Sequence, residues 1–280
     1  MKKVVFLILI GLFFSCKSEK EIYNIMTYNI RYDNPNDGEN NWSKRKAFLS
    51  SQISFFKPDV FGIQEGLSHQ INYLDSVFVD YKYIGVGRDD GKLKGEFSAI
   101  FYNSQKFKVI ENNTFWLSET PNKISVGWDA SMERICTFGL FQNIKTTQQF
   151  YVFNTHFDHI GTEARLKSAE LILKKIEELN QKKLPVILTG DFNLTPETAP
   201  IHNISKILND SKKVSQLTPF GPIGTFNGFK FNEPVNDRID YIFTSKNNIS
   251  VEKYAVLSDS KACKYPSDHL PVFIEITIKR

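Results

Sequence analysis

Cysteine is scarce in this chain: Cys16, Cys136 and Cys263 are the three among 280 residues. No CxxC and no Cys/His spacing of a structural zinc site occurs, so a zinc-stapled module is excluded. A strong excess of one charge is also missing. The formal net charge is +4, and without residues 1–15, which carry two lysines and no acid, it falls to +2. That near-balance gives no support to an extended nucleic-acid-binding surface and leaves room for no more than a local basic cleft. The apolar run at the N-terminus, residues 4–14, is eleven residues long, against the ~20 that a membrane-spanning helix needs. From Glu21 onward there is no linker, repeat or low-complexity tract. Hydrophobic runs recur too regularly for long disorder. An apolar content of 41% with 14% aromatics is ample for a packed core, and one domain can absorb this length.

The N-terminus reads as a targeting segment. Lys2 and Lys3 precede the apolar run VVFLILIGLFF, which has the length of a signal-peptide core. Ser15 then precedes Cys16. A basic start, a short apolar run and a small residue before cysteine resemble a bacterial lipoprotein signal, although Phe13 and Phe14 depart from its usual Leu-small-small pattern. On this reading residues 1–15 are removed and Cys16 carries the acyl chains. Residues 16–21 are then a charged tether, and residues 22–280 form a single domain exported and anchored to the cell envelope. The alternative is an ordinary cleaved signal with an incidental cysteine. Cys136 and Cys263 would be left as the two thiols of an exported domain, and spacing alone does not decide whether they pair.

Strand-like runs rich in Val, Ile, Phe and Tyr occur at 22–30, 60–63, 97–102, 150–155, 186–188, 239–243 and 272–278. Two segments read as helices. Residues 43–56 place Phe48, Leu49, Ile53 and Phe56 on one face and stop before Pro58; residues 163–180 place Leu166, Ala169, Ile172 and Ile176 on one side. A third is expected to start near Thr195-Pro196-Glu197, where proline suits a first helical turn. Strands interleaved with a few helices make this an α/β or α+β chain with at least one mixed sheet.

Short polar clusters sit at the strand ends: Asn29 after the first, Gln64-Glu65 after the second, then Asn154-Thr155-His156, Gly190-Asp191-Phe192-Asn193, Arg238-Ile239-Asp240-Tyr241 and Ser267-Asp268-His269. Strand ends are rigid, which suits a site that must hold its geometry. Asn, Glu and Asp supply hard oxygen ligands of the kind Mg²⁺ or Mn²⁺ prefers. The two histidines and the remaining Asp–Asn pair are left for proton transfer and charge stabilisation. A metal that polarises a phosphoryl oxygen, a base for water and donors for the non-bridging oxygens are what phosphoester hydrolysis requires.

At these residues the chain resembles the endonuclease/exonuclease/phosphatase superfamily, with the blocks QE, GDFN, RIDYIF and SDH in the family order from Asn29 to His269. The resemblance implies a DNase I-like four-layer α/β sandwich, two mixed β-sheets packed face to face with flanking helices. It implies Glu65 as principal metal ligand, with Asn29 and Asp268 beside the ion. Asp191 would position or deprotonate water, and Asn193 and His156 would contact the scissile phosphate. His269 would be a second base or phosphate donor oriented by Asp240. Tyr102 falls where some family nucleases place a phosphate-contacting tyrosine. Departures narrow the branch. Arg31 stands where apurinic endonucleases carry Asp, and Leu188, Leu194 and Thr195 fill places diagnostic of inositol 5-phosphatases.

Several readings stay open. Asp158 either pairs with Arg165 or joins the site. The long polar stretch 116–134, with Trp116, Trp128 and Arg134, either borders a substrate cleft, with Arg134 on a phosphate, or is an ordinary hairpin loop. The substrate is a phosphoester, with a diester favoured: nucleic acid, a lipid headgroup or a small phosphorylated metabolite, handled by a monomer. The alternatives are a phosphomonoesterase, a sphingomyelinase-like phospholipase, or an inactive surface-anchored binding protein of the same fold.

Overall fold

A computed structural model describes residues 21–279. The segment expected to be a signal, the cysteine expected to be acylated and nearly all of the expected tether lie outside the described residues. Twelve strands form two six-stranded sheets. They are β1 (Ile22–Asn29), β2 (Val60–Gln64), β3 (Tyr81–Ile84), β4 (Ile100–Asn103), β5 (Phe107–Trp116), β6 (Ile135–Asn143), β7 (Gln149–His156), β8 (Val186–Asp191), β9 (Leu208–Asp210), β10 (Asp240–Ser245), β11 (Ile249–Val256) and β12 (Val272–Ile278). The helices are α1 (Trp42–Phe56), α2 (Ser68–Val77), α3 (Thr162–Leu179), α4 (Ala199–Ile207) and α5 (Ser211–Val214).

One sheet runs β11-β12-β1-β2-β4-β3 and the other β5-β6-β7-β8-β10-β9. Each is mixed because its centre is a parallel pair, β1 with β2 and β7 with β8, while the flanking pairs are antiparallel. A parallel pair needs a crossover, and α1 and α3 supply the two. The inner faces meet in an apolar layer that includes Ile25, Val60, Phe141, Val152, Ile187 and Ile274. A second cluster, with Leu49, Ile53 and Phe61, lies on the α1–α2 side, and a third, with Ile172, Ile176 and Phe243, on the α3–α4 side. This is the helix–sheet–sheet–helix sandwich that the resemblance implied.

The topology gathers one end of the sandwich. β1, β2, β7 and β8 all finish there, in register Asn29↔Gln64 and His156↔Asp191. β10 runs antiparallel to β8 and therefore starts there, with Asp240 opposite Asp191. β12 runs antiparallel to β1, so the Asp268-His269 segment before it arrives at the same end.

Below that end a buried amide locks the two sheets together. Asn154 on β7 donates to the carbonyls of Ile63 (2.8 Å) and Ala99 (3.0 Å) in the opposite sheet. Its Oδ1 accepts from Gln64 (2.7 Å) and Thr189 (3.0 Å). Gly62 faces this amide, and a Cβ there would stand 2.4 Å from Asn154 Oδ1.

One expectation is corrected and two open readings are decided. The third helix starts at Ala199 rather than Thr195, because residues 195–198 close a turn, Thr198 N–H to Thr195 O (3.2 Å), and Pro200 takes the first helical turn instead. Cys136 is buried in β6 while Cys263 is exposed, and both are free thiols. Asp158 forms its ion pair with Arg134 (3.3 Å), whereas Arg165 donates to the Asp158 carbonyl. Among the described residues no helix is long and apolar enough to cross a membrane.

Candidate active site

Asp191 is the centre of the cluster. It ends β8, is buried, and its Oδ2 accepts from Asn29 Nδ2 (2.9 Å). The same oxygen lies 3.5 Å from His156 Nε2 and 3.8 Å from His269 Nε2. Its Oδ1 accepts the backbone N–H of Asn193 (2.9 Å). Burial, and then the neighbouring Asp240 charge, raise its pKa above the ordinary carboxylate value.

His269 stands between two acids. Its Nδ1 meets Asp240 Oδ2 at 2.8 Å. Burial opposes charging the ring, but Asp240 and Asp191 outweigh it and hold the pKa well above 6.5. His156 is the reverse case. Burial, reinforced by the Arg134 charge, pushes its pKa down to about 3, so the ring is neutral. Asn193 Nδ2 lies 3.1 Å from His156 Nε2 and donates to the Phe157 carbonyl at 3.1 Å. A neutral ring that accepts at Nε2 carries its proton on Nδ1.

Glu65 lies across the mouth on the other sheet, just past β2. Its Oε1 accepts from Asn29 Nδ2 (2.9 Å) and its Oε2 from the Tyr32 N–H (3.1 Å). Glu65 and Asn193 both hold left-handed backbone, φ 63° and 49°. Strain of that kind costs about 1–3 kcal/mol and is retained where the surroundings fix it. Arg31 binds Asp37 through two 3.0 Å bonds and brings its guanidinium within 4.0 Å of Glu65 and 3.7 Å of Asp268. Burial, with Glu65 adding to it, raises the Asp268 pKa to about 6.

One carboxylate oxygen each from Glu65 and Asp191 and one His269 nitrogen lie within 4.8 Å of one another. The two carboxylate oxygens of this largely buried cluster fit a hard divalent cation, while the protonated His269 is left as a donor beside it. Asn29 presents its nitrogen to both carboxylates, because its Oδ1 accepts the Arg31 N–H (3.0 Å). An amide flip would exchange the two atoms and present the oxygen.

The end of the sandwich thus brings together Asn29, Glu65, His156, Asp191, Asn193, Asp240, Asp268 and His269. It does not bring in Tyr102. That residue lies opposite Val60, four positions along β2 from Gln64, with its ring against Phe141 in the core (5.3 Å). Arg134 is buried close to His156, within the niche described below. Trp116 is buried and donates to the Arg88 carbonyl (2.8 Å), while Trp128 is half-buried, its N–H on Glu119. Sequence reading missed Arg88 and Glu96, which form a bidentate pair (2.8 and 2.9 Å) beside His156. It also missed Phe226, whose half-exposed ring packs edge-on against His269 (5.1 Å). Arg88 and Phe226 lie at no end of an apolar run, the signal that found the others, and Glu96, though it borders the run 97–102, falls in none of the family blocks.

Comparison with known proteins accords with this geometry. The family model described as "Endonuclease/Exonuclease/phosphatase family" matches residues 26–269. A crystal structure of a protein of that family from Bacteroides thetaiotaomicron superposes with a TM-score of 0.89 at 38% identity, covering 94% of this chain and 99% of that one. A mannosyl-6-phosphatase of Bacteroides thetaiotaomicron VPI-5482 gives a TM-score of 0.87 at 40% identity, over 91% and 99%. The CCR4-Not complex 3'-5'-exoribonuclease subunit Ccr4 of Mycosarcoma maydis is 22% identical over 93% of this chain, which spans about half (51%) of that protein's length.

Proposed function

The chain belongs to the endonuclease/exonuclease/phosphatase family, and on that premise we propose that it is a hydrolase that uses a divalent cation, Mg²⁺ or Mn²⁺, to cleave a phosphoester with water. The observation that carries the reading is the meeting of Asp191, Glu65 and His269 in one largely buried cluster with His156 and Asn193 beside it. Glu65 and Asp191 would hold the cation, with Asn29 (after an amide flip) and Asp268 flanking it. When bound, the cation supplies charge neutralisation and polarisation at the phosphoryl oxygens.

The other steps belong to the side chains. Asp191 Oδ2 would orient the attacking water and take its proton. His269, kept protonated by Asp240 and Asp191, donates Nε2–H to charge developing on the phosphoryl group. Asn193 keeps the neutral His156 ring in place.

For the substrate, the mannosyl-6-phosphatase relationship supports a small phosphorylated metabolite, a sugar phosphate first, over the diester that the sequence favoured. The near-balanced charge also argues against nucleic acid. In the full proposal a monomer is exported and held at the membrane by acyl chains on Cys16.

Asp191→Ala and His269→Ala are each expected to lower kcat/KM on a chromogenic phosphoester by at least about 10²–10³-fold, and chelation to abolish wild-type turnover. Activity that survives the chelator, or that both variants keep, rules out this mechanism. Absence of turnover across a broad phosphoester panel would favour the binding protein. Cys16→Ser should move the protein from the membrane to the soluble fraction; retention at the membrane contradicts the anchor.

A further inference from the structure

Beside His156, on the side away from Asn193, is a niche of about 10 Å³ lined by Arg88, Glu96, Ser98, Arg134 and His156 over the apolar Phe97 and Ile135. Two arginines stand together there, each paired with a carboxylate, and the exposed Asp89 places a further carboxylate oxygen 3.7 Å from Arg88 Nε. Arg88 pairs with Glu96, and Arg134, itself 4% exposed, pairs with Asp158. These ion pairs leave hydrogen bonds unmade. Arg88 Nε, Arg134 Nη1 and His156 Nδ1 are all buried and have no hydrogen-bond partner. Glu96 Oε2 lies 3.7 Å from His156 Nδ1, and that oxygen already accepts from Arg88 at 2.8 Å. Of the twelve buried side-chain polar atoms without a hydrogen-bond partner among the described residues, these three belong to residues that line one small cavity.

A volume of about 10 Å³ is about the size that admits one water or one oxygen atom. We propose that the niche is a subsite for one unesterified oxygen of the substrate's phosphoryl group, and that it makes the enzyme selective for phosphomonoesters over diesters. The proposal rests on the phosphoester-hydrolase reading above and deepens it. His156 joins the two places: its Nε2 faces Asn193 and Asp191 and its Nδ1 lines the niche, so a phosphoryl group beside Asp191 is one imidazole away. An anionic oxygen is the acceptor these donors lack, and guanidinium N–H groups are strong partners for it. An alkyl or sugar substituent on that oxygen does not fit the volume and would leave the donors unpaired. A monoester always has an oxygen to spare for the niche when two others face the cation and His269; a diester does not.

The test is steady-state kinetics of the full chain with Mg²⁺ at pH 8 on p-nitrophenyl phosphate and bis(p-nitrophenyl) phosphate. The wild type is expected to favour the monoester at least tenfold in kcat/KM. Arg88→Gln and Arg134→Gln should each lower the monoester value at least a hundredfold and the diester value less than fivefold. Arg134→Gln strands Asp158, so the charge-balanced double variant Arg88→Gln/Glu96→Gln carries the test if the single variant fails to fold by circular dichroism. Equal losses on both esters, or a wild-type preference for the diester, would overturn the proposal, because a water-filled structural niche predicts no discrimination. If the wild type turns over neither ester, the broad phosphoester panel judges the hydrolase reading separately. Calorimetry with inorganic phosphate and Mg²⁺ then decides the niche: binding weakened at least tenfold in the double variant supports it, and equal binding overturns it.

Discussion

Asp158 shows how far a single residue can be read before its surroundings are known. The sequence offered Arg165 as its partner, seven residues on and one helical turn into α3, a local pairing. The fold supplies Arg134 instead, from the start of β6, together with the Ser131 hydroxyl (2.7 Å) and the N–H groups of Ile160 (3.0 Å) and Gly161 (2.7 Å). Burial pushes the Asp158 pKa up, but these donors and Arg134 hold it well below the usual carboxylate range. A folded pKa below the unfolded value of about 3.9 means stability that is complete above that pH and is lost as pH falls towards the folded pKa. Asp158→Asn is therefore expected to cost about 3–5 kcal/mol at neutral pH, since it strands the Arg134 guanidinium. Between about pH 4 and pH 2 its melting temperature should fall less steeply than that of the wild type. Parallel melting curves across that range would show that Asp158 is not ionically paired. Arg88 and Glu96 were illegible for a related reason: they meet His156 only after the segment between β3 and β4 folds back, and nothing in RDDGKLKGE marks that return.

At the scale of elements the sequence was most legible where a strand runs into polar residues. Asp191, His156, Glu65 and His269 were found because apolar runs end beside them, and the parallel pairs β1/β2 and β7/β8 do carry those ends to one place. Tyr102 broke the rule. It lies within a strand, and a strand's two faces and its two ends cannot be told apart from local composition. Strands β5, β6 and β11 did not stand out as separate apolar runs, and α2 lacked a long periodic face. The element that sets the site's spacing is β2, through Gly62. Three residues before Glu65, it faces the Asn154 amide and the Thr189 hydroxyl, and a methyl there would stand 2.4 and 2.6 Å from them. Overpacking of this kind costs about 1–3 kcal/mol. Gly62→Ala should therefore lower the melting temperature by roughly 2–12 °C. It should also lower kcat more than it raises KM, because pushing the sheets apart separates Glu65 from Asp191. An unchanged kcat in a folded variant would mean that the Asn154 contacts do not set that separation.

Across the whole molecule, the cation cluster spans both sheets: Glu65 follows β2 of one and Asp191 ends β8 of the other. Without the ion, two acids face each other across the mouth, bridged by the Asn29 amide and neutralised on one side by Arg31. Both are local answers to a like-charge pair, and a divalent cation answers it more completely. Binding to the folded state alone stabilises by RT ln(1 + [L]/Kd), about 2.7 kcal/mol at a hundredfold excess over Kd. For a domain of this size that corresponds to a rise in melting temperature of roughly 5–11 °C. Glu65→Gln should behave oppositely in the two states. Without metal it relieves the repulsion and melts at or above the wild type; with saturating Mg²⁺ its melting temperature barely moves. Calorimetry of both proteins with Mg²⁺ and with chelator reads the difference directly. A Glu65→Gln protein that gains as much from Mg²⁺ as the wild type would place the cation elsewhere and remove the bridge between the sheets.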